Sequence, residues 1–90
     1  MLLVRHAIGS RLFYQTEHYE IKKNEDKWII SFPISYEKAM NIQKFKEELN
    51  LFAVEDTQKT WYYSSDAELL FDKDNEQLLV FADHKTVYPI

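Results

Sequence analysis

The sequence predicts an α+β fold: a mostly antiparallel sheet of about five or six strands with one main helix, about residues 35–50, packed on one face. Two observations predict it. A single segment has helical periodicity, and the rest of the chain is short apolar and aromatic runs separated by polar turns. The 90-residue chain is 46% apolar, enough for one core but not for two, so residues 1–90 are predicted to form one globular domain.

Elements are expected in the following order along the first half of the chain. The segments LLVRHAI and RLFYQ are interpreted as strands, although a short helix stays an alternative for each. Residues 18–32 predict a hairpin, because Tyr19 and Ile21 alternate with polar residues before the turn NED, and the alternation resumes after it.

The helix is predicted from SYEKAMNIQKFKEELN. Ser35 can cap its first turn by accepting a hydrogen bond from a backbone N–H. Four apolar residues then fall on one stripe, and Asn50 can end the helix in a left-handed conformation. The stripe consists of Ala39, Ile42, Phe45 and Leu49.

The second half of the chain predicts strands at LFAV (51–54), TWYYSS (60–65), AELLF (67–71), QLLVFA (77–82) and TVY (86–88). Residues 69–71 and 78–81 are apolar without interruption, whereas a sheet with one face in water should alternate. One helix covers one face, so the other face is predicted to remain partly apolar. The N-terminal segment could close over it, or the sheet could curl into a barrel-like shape; otherwise another copy or another protein covers it, and we predict such a contact surface.

The run Trp61-Tyr62-Tyr63 is the candidate centre of that surface. In a strand, Trp61 and Tyr63 share one face and Tyr62 takes the other. Tyrosine and tryptophan are favoured at protein interfaces because each combines an apolar ring with a polar tip. Residues 51–90 also hold three lysines against eight acids, so we predict that acids join the aromatic residues. The predicted binding residues are Trp61, Tyr62, Tyr63, Glu55, Asp56 and Asp66.

Composition restricts the classes of function. The chain has no cysteine and only one glycine, so thiolate chemistry and glycine-rich phosphate loops are excluded. No metal ligand spacing is present, and we predict no cofactor. Clustered basic residues are missing, so nucleic acid is not an expected partner. No apolar window is long enough for a bilayer, which predicts no membrane partner and a cytoplasmic location.

The leading hypothesis is a non-enzymatic protein that binds another protein, either as a homodimer or as a small inhibitor or immunity-type protein. A second hypothesis is a small-ligand binding module whose sheet cups an apolar molecule beside the aromatic residues. No catalytic residue is predicted under either hypothesis.

A third hypothesis comes from LLVRHA (2–7), which resembles the strand-end Arg-His motif of the histidine phosphatase superfamily. LLVFADH (78–84) is similar to the strand that leads to that family's second histidine. The resemblance implies His6 as the phosphorylated nucleophile, Arg5 as a phosphate ligand and His84 as a partner. We rank it third, because the rest of the chain predicts hairpins around one helix and not repeated βα units.

Overall fold

The computed structural model of the chain describes residues 1–64 and 68–90. In these ranges the chain forms nine strands, one α-helix and one short 3₁₀ turn. The strands are β1 (Leu2–His6), β2 (Leu12–Thr16), β3 (Glu20–Asn24), β4 (Lys27–Pro33), β5 (Leu49–Val54), β6 (Gln58–Tyr63), β7 (Glu68–Asp72), β8 (Gln77–Ala82) and β9 (His84–Pro89). The helix α1 spans Tyr36–Gln43, and the 3₁₀ turn spans Lys46–Glu48.

The strands make two antiparallel sheets instead of one. A five-stranded sheet has the order β2-β1-β5-β6-β9, and a four-stranded sheet has the order β3-β4-β8-β7. The expectation of five or six strands in one sheet was therefore too small, while the α+β class with mostly antiparallel pairing is confirmed. In each sheet alternate side chains point inward, and the inward rows of the two sheets bury each other, so no single sheet with a helix on it is needed.

The core lies between the two sheets. In β5 the residues Leu49, Leu51 and Ala53 are buried and alternate with half-buried neighbours. In β8, Leu78, Val80 and Ala82 do the same from the opposite sheet. The two inner faces thus bury each other, as in other two-layer β structures.

The strand β4 runs across the five-stranded sheet and not along it. Its Phe32 ring stacks on Tyr14 of β2 with 5.7 Å between centroids, and its Trp28 ring lies 6.4 Å from Tyr62 of β6. The Tyr14 hydroxyl also donates a hydrogen bond of 3.0 Å to the carbonyl of Pro33. The strand β4 therefore contacts both β2 and β6, which are separated by β1 and β5 in the five-stranded sheet.

The helix is shorter than predicted and does not cover a sheet face. Ser35 caps it as expected, accepting a bond of 3.3 Å from the Lys38 N–H. The helix ends at Gln43. After it, the Phe45 N–H donates to the Ile42 carbonyl and the Glu48 N–H donates to the Phe45 carbonyl, which makes tighter i−3 turns until β5 begins at Leu49. Leu49 fits a helical stripe four residues after Phe45, but it also fits the inward row of β5, which buries it between sheets.

The helix closes one side of the space between the sheets. Ala39 and Ile42 enter the core, and the exposed Tyr36 ring meets Phe71 of β7 edge-on at 5.5 Å. No helix within the described ranges has the length and apolar character that crossing a membrane requires. Because the helix lies beside the sheets, it leaves the outer face of each sheet uncovered.

Candidate binding surface

The residues of β6 alternate between the core and the outer face of the five-stranded sheet, as the sequence predicted. The Tyr62 side chain is 5% exposed and contacts the core, while Trp61 and Tyr63 point outward and are half-buried. Burial raises the pKa of the Tyr62 phenol, and the negative charge of Glu55 and the nearby Tyr19 raise it further. Tyr62 is therefore a core residue, whereas Trp61 and Tyr63 lie on the outer face.

Four nearly parallel rings lie side by side on this outer face, which we call the aromatic face. Trp61 stacks on Tyr63 with 4.2 Å between centroids, and Tyr63 stacks on His84 of β9 at 5.0 Å. Phe52 of β5 lies 6.4 Å from Trp61 at an interplanar angle of 18°. Trp61, Tyr63 and His84 thus form one continuous stack, and Phe52 lies beside it.

Polar contacts fix the centre of the array. The indole N–H of Trp61 donates a hydrogen bond of 2.9 Å to the side-chain oxygen of Asn50 on the adjacent strand. The ammonium group of Lys59 lies 4.5 Å from the centre of the Phe52 ring, within the range of a cation–π interaction. Asn50, which orients Trp61, and Lys59, which lies beside Phe52, are thus on the same face.

The charged side chains at the outward strand positions of the aromatic face are basic, and the predicted acids are not among these positions. Register places Arg5 and Lys59 among its outward positions, and the outward positions of the described strands β1, β5, β6 and β9 include no aspartate or glutamate. The outward residues are Leu3, Arg5, Asn50, Phe52, Val54, Lys59, Trp61, Tyr63, His84, Thr86 and Tyr88.

The predicted acidic residues lie beside this face or outside the described residues. Glu55 and Asp56 are exposed in the turn between β5 and β6, where the Glu55 N–H bonds to the carbonyl of Gln58. They form an acidic rim at one end of the aromatic face. Asp66 is outside the ranges that the structure describes.

A shallow depression of about 380 Å³ lies on the same face. Its lining combines three rings with the Asn50 amide and the Lys59 ammonium, so it offers apolar surface and one cation. The rings are those of Phe52, Trp61 and Tyr88, and the last is 43% exposed.

The residues of the phosphatase resemblance are not brought together. Arg5 points to the outer face of β1, and its guanidinium donates a bond of 2.9 Å to the carbonyl of Ser10. His6 is on the opposite face, beside the stacked rings of Phe13 and Phe45 at 5.5 and 5.1 Å, and its Nε2 lies 3.2 Å from the Glu48 carboxylate. His84 is on β9, at an edge of the five-stranded sheet, and β5 and β6 lie between β9 and β1.

Among the described residues, no three histidine or acidic side chains form a group that could hold a metal ion. Asp72, the last residue of β7, is used in the turn that follows the strand. Its carboxylate oxygens accept hydrogen bonds from the N–H groups of Asp74 and Asn75 and from the Asn75 amide, at 3.1, 3.3 and 2.8 Å. These hydrogen bonds, of which those from Asn75 contribute most, hold the pKa of the Asp72 carboxyl below its ordinary value.

Sequence reasoning missed most residues of the aromatic face, including the four that line the depression beside Trp61. Asn50 had been assigned to a helix end, and Phe52, Lys59 and Tyr88 lie on strands whose pairing was not predicted. A signal was present in residues 49–54, where buried residues alternate with Asn50, Phe52 and Val54. Pairing that alternation with residues 58–63 in a tight hairpin would have placed Phe52 opposite Trp61, as observed.

No protein-family model matches the sequence, and no curated protein or solved structure matches the chain. The aromatic face is therefore interpreted from its own geometry.

Proposed function

We propose that this protein acts by binding another protein through the aromatic face. The observation that supports the proposal is the packed array of Phe52, Trp61 and Tyr63 on a sheet face that the helix leaves uncovered. Large, rigid aromatic residues lose little conformational entropy on binding and dominate the free energy of many interfaces. A docked partner would remove the exposed parts of these half-buried rings from water.

The charges of the face favour a different protein over a second copy as this partner. Two copies that met through this face would bring Arg5 and Lys59 of both into one interface, and the acidic side chains beside it lie at its margins, at Glu55 and Asp56 in the β5–β6 turn and at Asp83 beside His84. A partner with acidic groups around an apolar centre would complement it. This favours the inhibitor or immunity-type hypothesis over a homodimer built on the aromatic face.

The ring geometry also disfavours single-stranded nucleic acid on this face. Bases bind sheet surfaces by stacking on free aromatic ring faces. Here the faces of Trp61 and Tyr63 are stacked on each other at 4.2 Å.

The test is affinity capture from native cells with immobilised wild-type protein and a Trp61→Ala variant, followed by titration of the captured protein in purified form. Loss of the central ring should weaken binding about 30-fold or more, the factor that corresponds to about 2 kcal/mol. Tyr36→Ala is the matched control, because Tyr36 is an aromatic residue 56% exposed on the helix. Equal affinity of wild type and a folded Trp61→Ala variant would contradict the proposal.

The depression beside Phe52 favours a second candidate, a small-ligand binding module. An apolar or aromatic molecule with one anionic group would fit its three rings and the Lys59 ammonium. In a thermal-shift screen, such a molecule should raise the melting temperature of the wild type and not that of Lys59→Met. A ligand that stabilises both proteins equally binds elsewhere.

A further inference from the structure

The outer face of the four-stranded sheet is a second uncovered surface, unrelated to the aromatic face. Its outward positions follow from the register, which pairs Ile29 with Phe81 and Leu79 with Leu70. These four side chains lie on the neighbouring strands β4, β8 and β7 and form one apolar patch at the centre of the face. Leu70 is 55% exposed, and the other three are half-buried.

The charges around this patch are sorted by side. Lys22 of β3 and Lys27 of β4 lie on one side, with Glu20 also on β3. Glu68 and Asp72, both on β7, lie on the other. Among these outward strand positions, one side therefore has a net positive charge and the other is negative, while the centre is apolar.

This distribution is complementary to itself. A two-fold rotation about an axis parallel to the strands turns the face onto a second copy and exchanges its two sides. The basic side of one copy then meets the acidic side of the other, and the two apolar patches meet between them. Two sheets that pack in this way lie about 10 Å apart, a distance that side chains of this size fill.

The charged side chains remain available to a second copy. Lys27 and Glu68 are 3.8 Å apart across β8, and Lys22 and Glu20 are 3.7 Å apart. Their side chains are between 43% and 75% exposed, so each ion pair is exposed to water and contributes little within one molecule. The same groups can pair across an interface where the apolar patches exclude water.

We infer that the outer face of the four-stranded sheet is a self-association surface that joins two copies of this chain about a two-fold axis parallel to the strands. A sheet of four strands is only about 19 Å wide at about 4.8 Å per strand, so the interface is at the small end of specific contacts. The dimer is therefore weak and forms at micromolar or higher concentration.

The experiment is analytical ultracentrifugation of the full chain from about 10 µM to about 1 mM, a range that brackets a weak dimer. Wild type should change reversibly from monomer to dimer across this range. Leu70→Lys should weaken the dimer about tenfold or more, because a charge would enter the apolar centre. A wild type that stays monomeric to the highest concentration would overturn the inference.

Leu12→Lys is the matched control, because Leu12 is 42% exposed on an edge strand of the other sheet. It makes the same substitution away from the patch and should dimerise as wild type does. Weakening of similar size in both variants would show that the apolar patch is not the contact, and would overturn the inference.

A charge reversal tests the two-fold geometry. Glu68→Lys reduces the net charge of −4 and, through overall repulsion alone, would strengthen self-association. The proposed arrangement predicts the opposite, since the new lysine would face the basic side of the second copy. Glu47→Lys, an equal change of net charge in the 3₁₀ turn, should not weaken the dimer. Stronger association of Glu68→Lys would sink the arrangement.

This inference does not depend on the proposed function, because the two faces lie on opposite sides of the molecule. A Trp61→Ala variant that loses its partner but dimerises normally would separate the two surfaces. Failure of either experiment leaves the other intact.

Discussion

Tyr62 illustrates how neighbouring residues of the same type can have different roles. Its ring packs between the sheets beside Trp28, whereas Tyr63 lies on the aromatic face beside His84. The difference is one step along a strand, because successive side chains point to opposite faces. The sequence alone showed that 61 and 63 share a face, but not which face was the core.

Replacing Tyr62 by phenylalanine should change stability at alkaline pH. The pKa of Tyr62 is raised above 10.0 by burial first and by Glu55 second, so in the unfolded chain the phenol loses its proton at lower pH. Stability from this group is complete below about pH 10 and falls as the pH rises above it. The free energy of unfolding, measured by urea titration, should decrease between about pH 8 and about pH 11. This decrease should be smaller for Tyr62→Phe than for wild type. The exposed Tyr36→Phe should behave as wild type does.

Asp72 gives the opposite pH dependence. Bonds from Asn75 and Asp74 lower its pKa below 3.8, so the turn is stabilised above that pH and loses the stabilisation as the pH falls. Asp72→Ala should lower the melting temperature at neutral pH, and the difference from wild type should shrink below about pH 4. Asp74→Ala is the control, since Asp74 donates only its backbone N–H to this turn. A difference that persists at low pH would contradict the explanation.

At the scale of elements, strand positions were predictable and the helix end was not. Alternating and apolar runs marked the strands of the second half, and Ser35 marked the helix start. The end was missed because Leu49 continues a helical stripe and also begins an inward strand row. Burial between two sheets decided for the strand, and that is tertiary information which a local pattern lacks.

The strand β4 provides a test of this two-layer arrangement. Ile30 is fully buried between the sheets and its neighbour Ile29 points outward. Ile30→Ala should cost about 2–5 kcal/mol of the free energy of unfolding, because it leaves a cavity in the core. Ile29→Ala should cost about 1 kcal/mol at low protein concentration, since part of its side chain is already in water. Denaturant titration of both variants measures the difference, and equal losses would contradict the assigned inner face.

At the scale of the whole molecule, the chain makes its sheets from distant segments. The strand β1 lies between β2 and β5, and Leu2 pairs with Ala53. The sequence could not predict these pairings or the division into two sheets, because many strand orders satisfy the same alternation. The uninterrupted apolar runs did indicate apolar side chains on both faces of β7 and β8, and Leu70, Leu79 and Phe81 do lie on the outer face of the four-stranded sheet.

Distant pairing should make folding slow for a chain of this size. Closing long loops costs entropy before the pairing between β1 and β5 stabilises the sheet. Stopped-flow refolding should therefore take milliseconds to seconds. A Leu51→Ala variant, which weakens the centre of β5, tests whether that strand is part of the rate-limiting step. Complete refolding in microseconds would contradict the expectation.

The placement of the two tryptophans has a spectroscopic consequence. Trp28 lies against the core, whereas Trp61 lies on the aromatic face with its indole N–H held by Asn50. In a Trp28→Phe protein all tryptophan emission would come from the aromatic face. Its wavelength and intensity would then follow events on that face, while a Trp61→Phe protein would report on the integrity of the interior. The chain thus contains two separate optical probes without any added label.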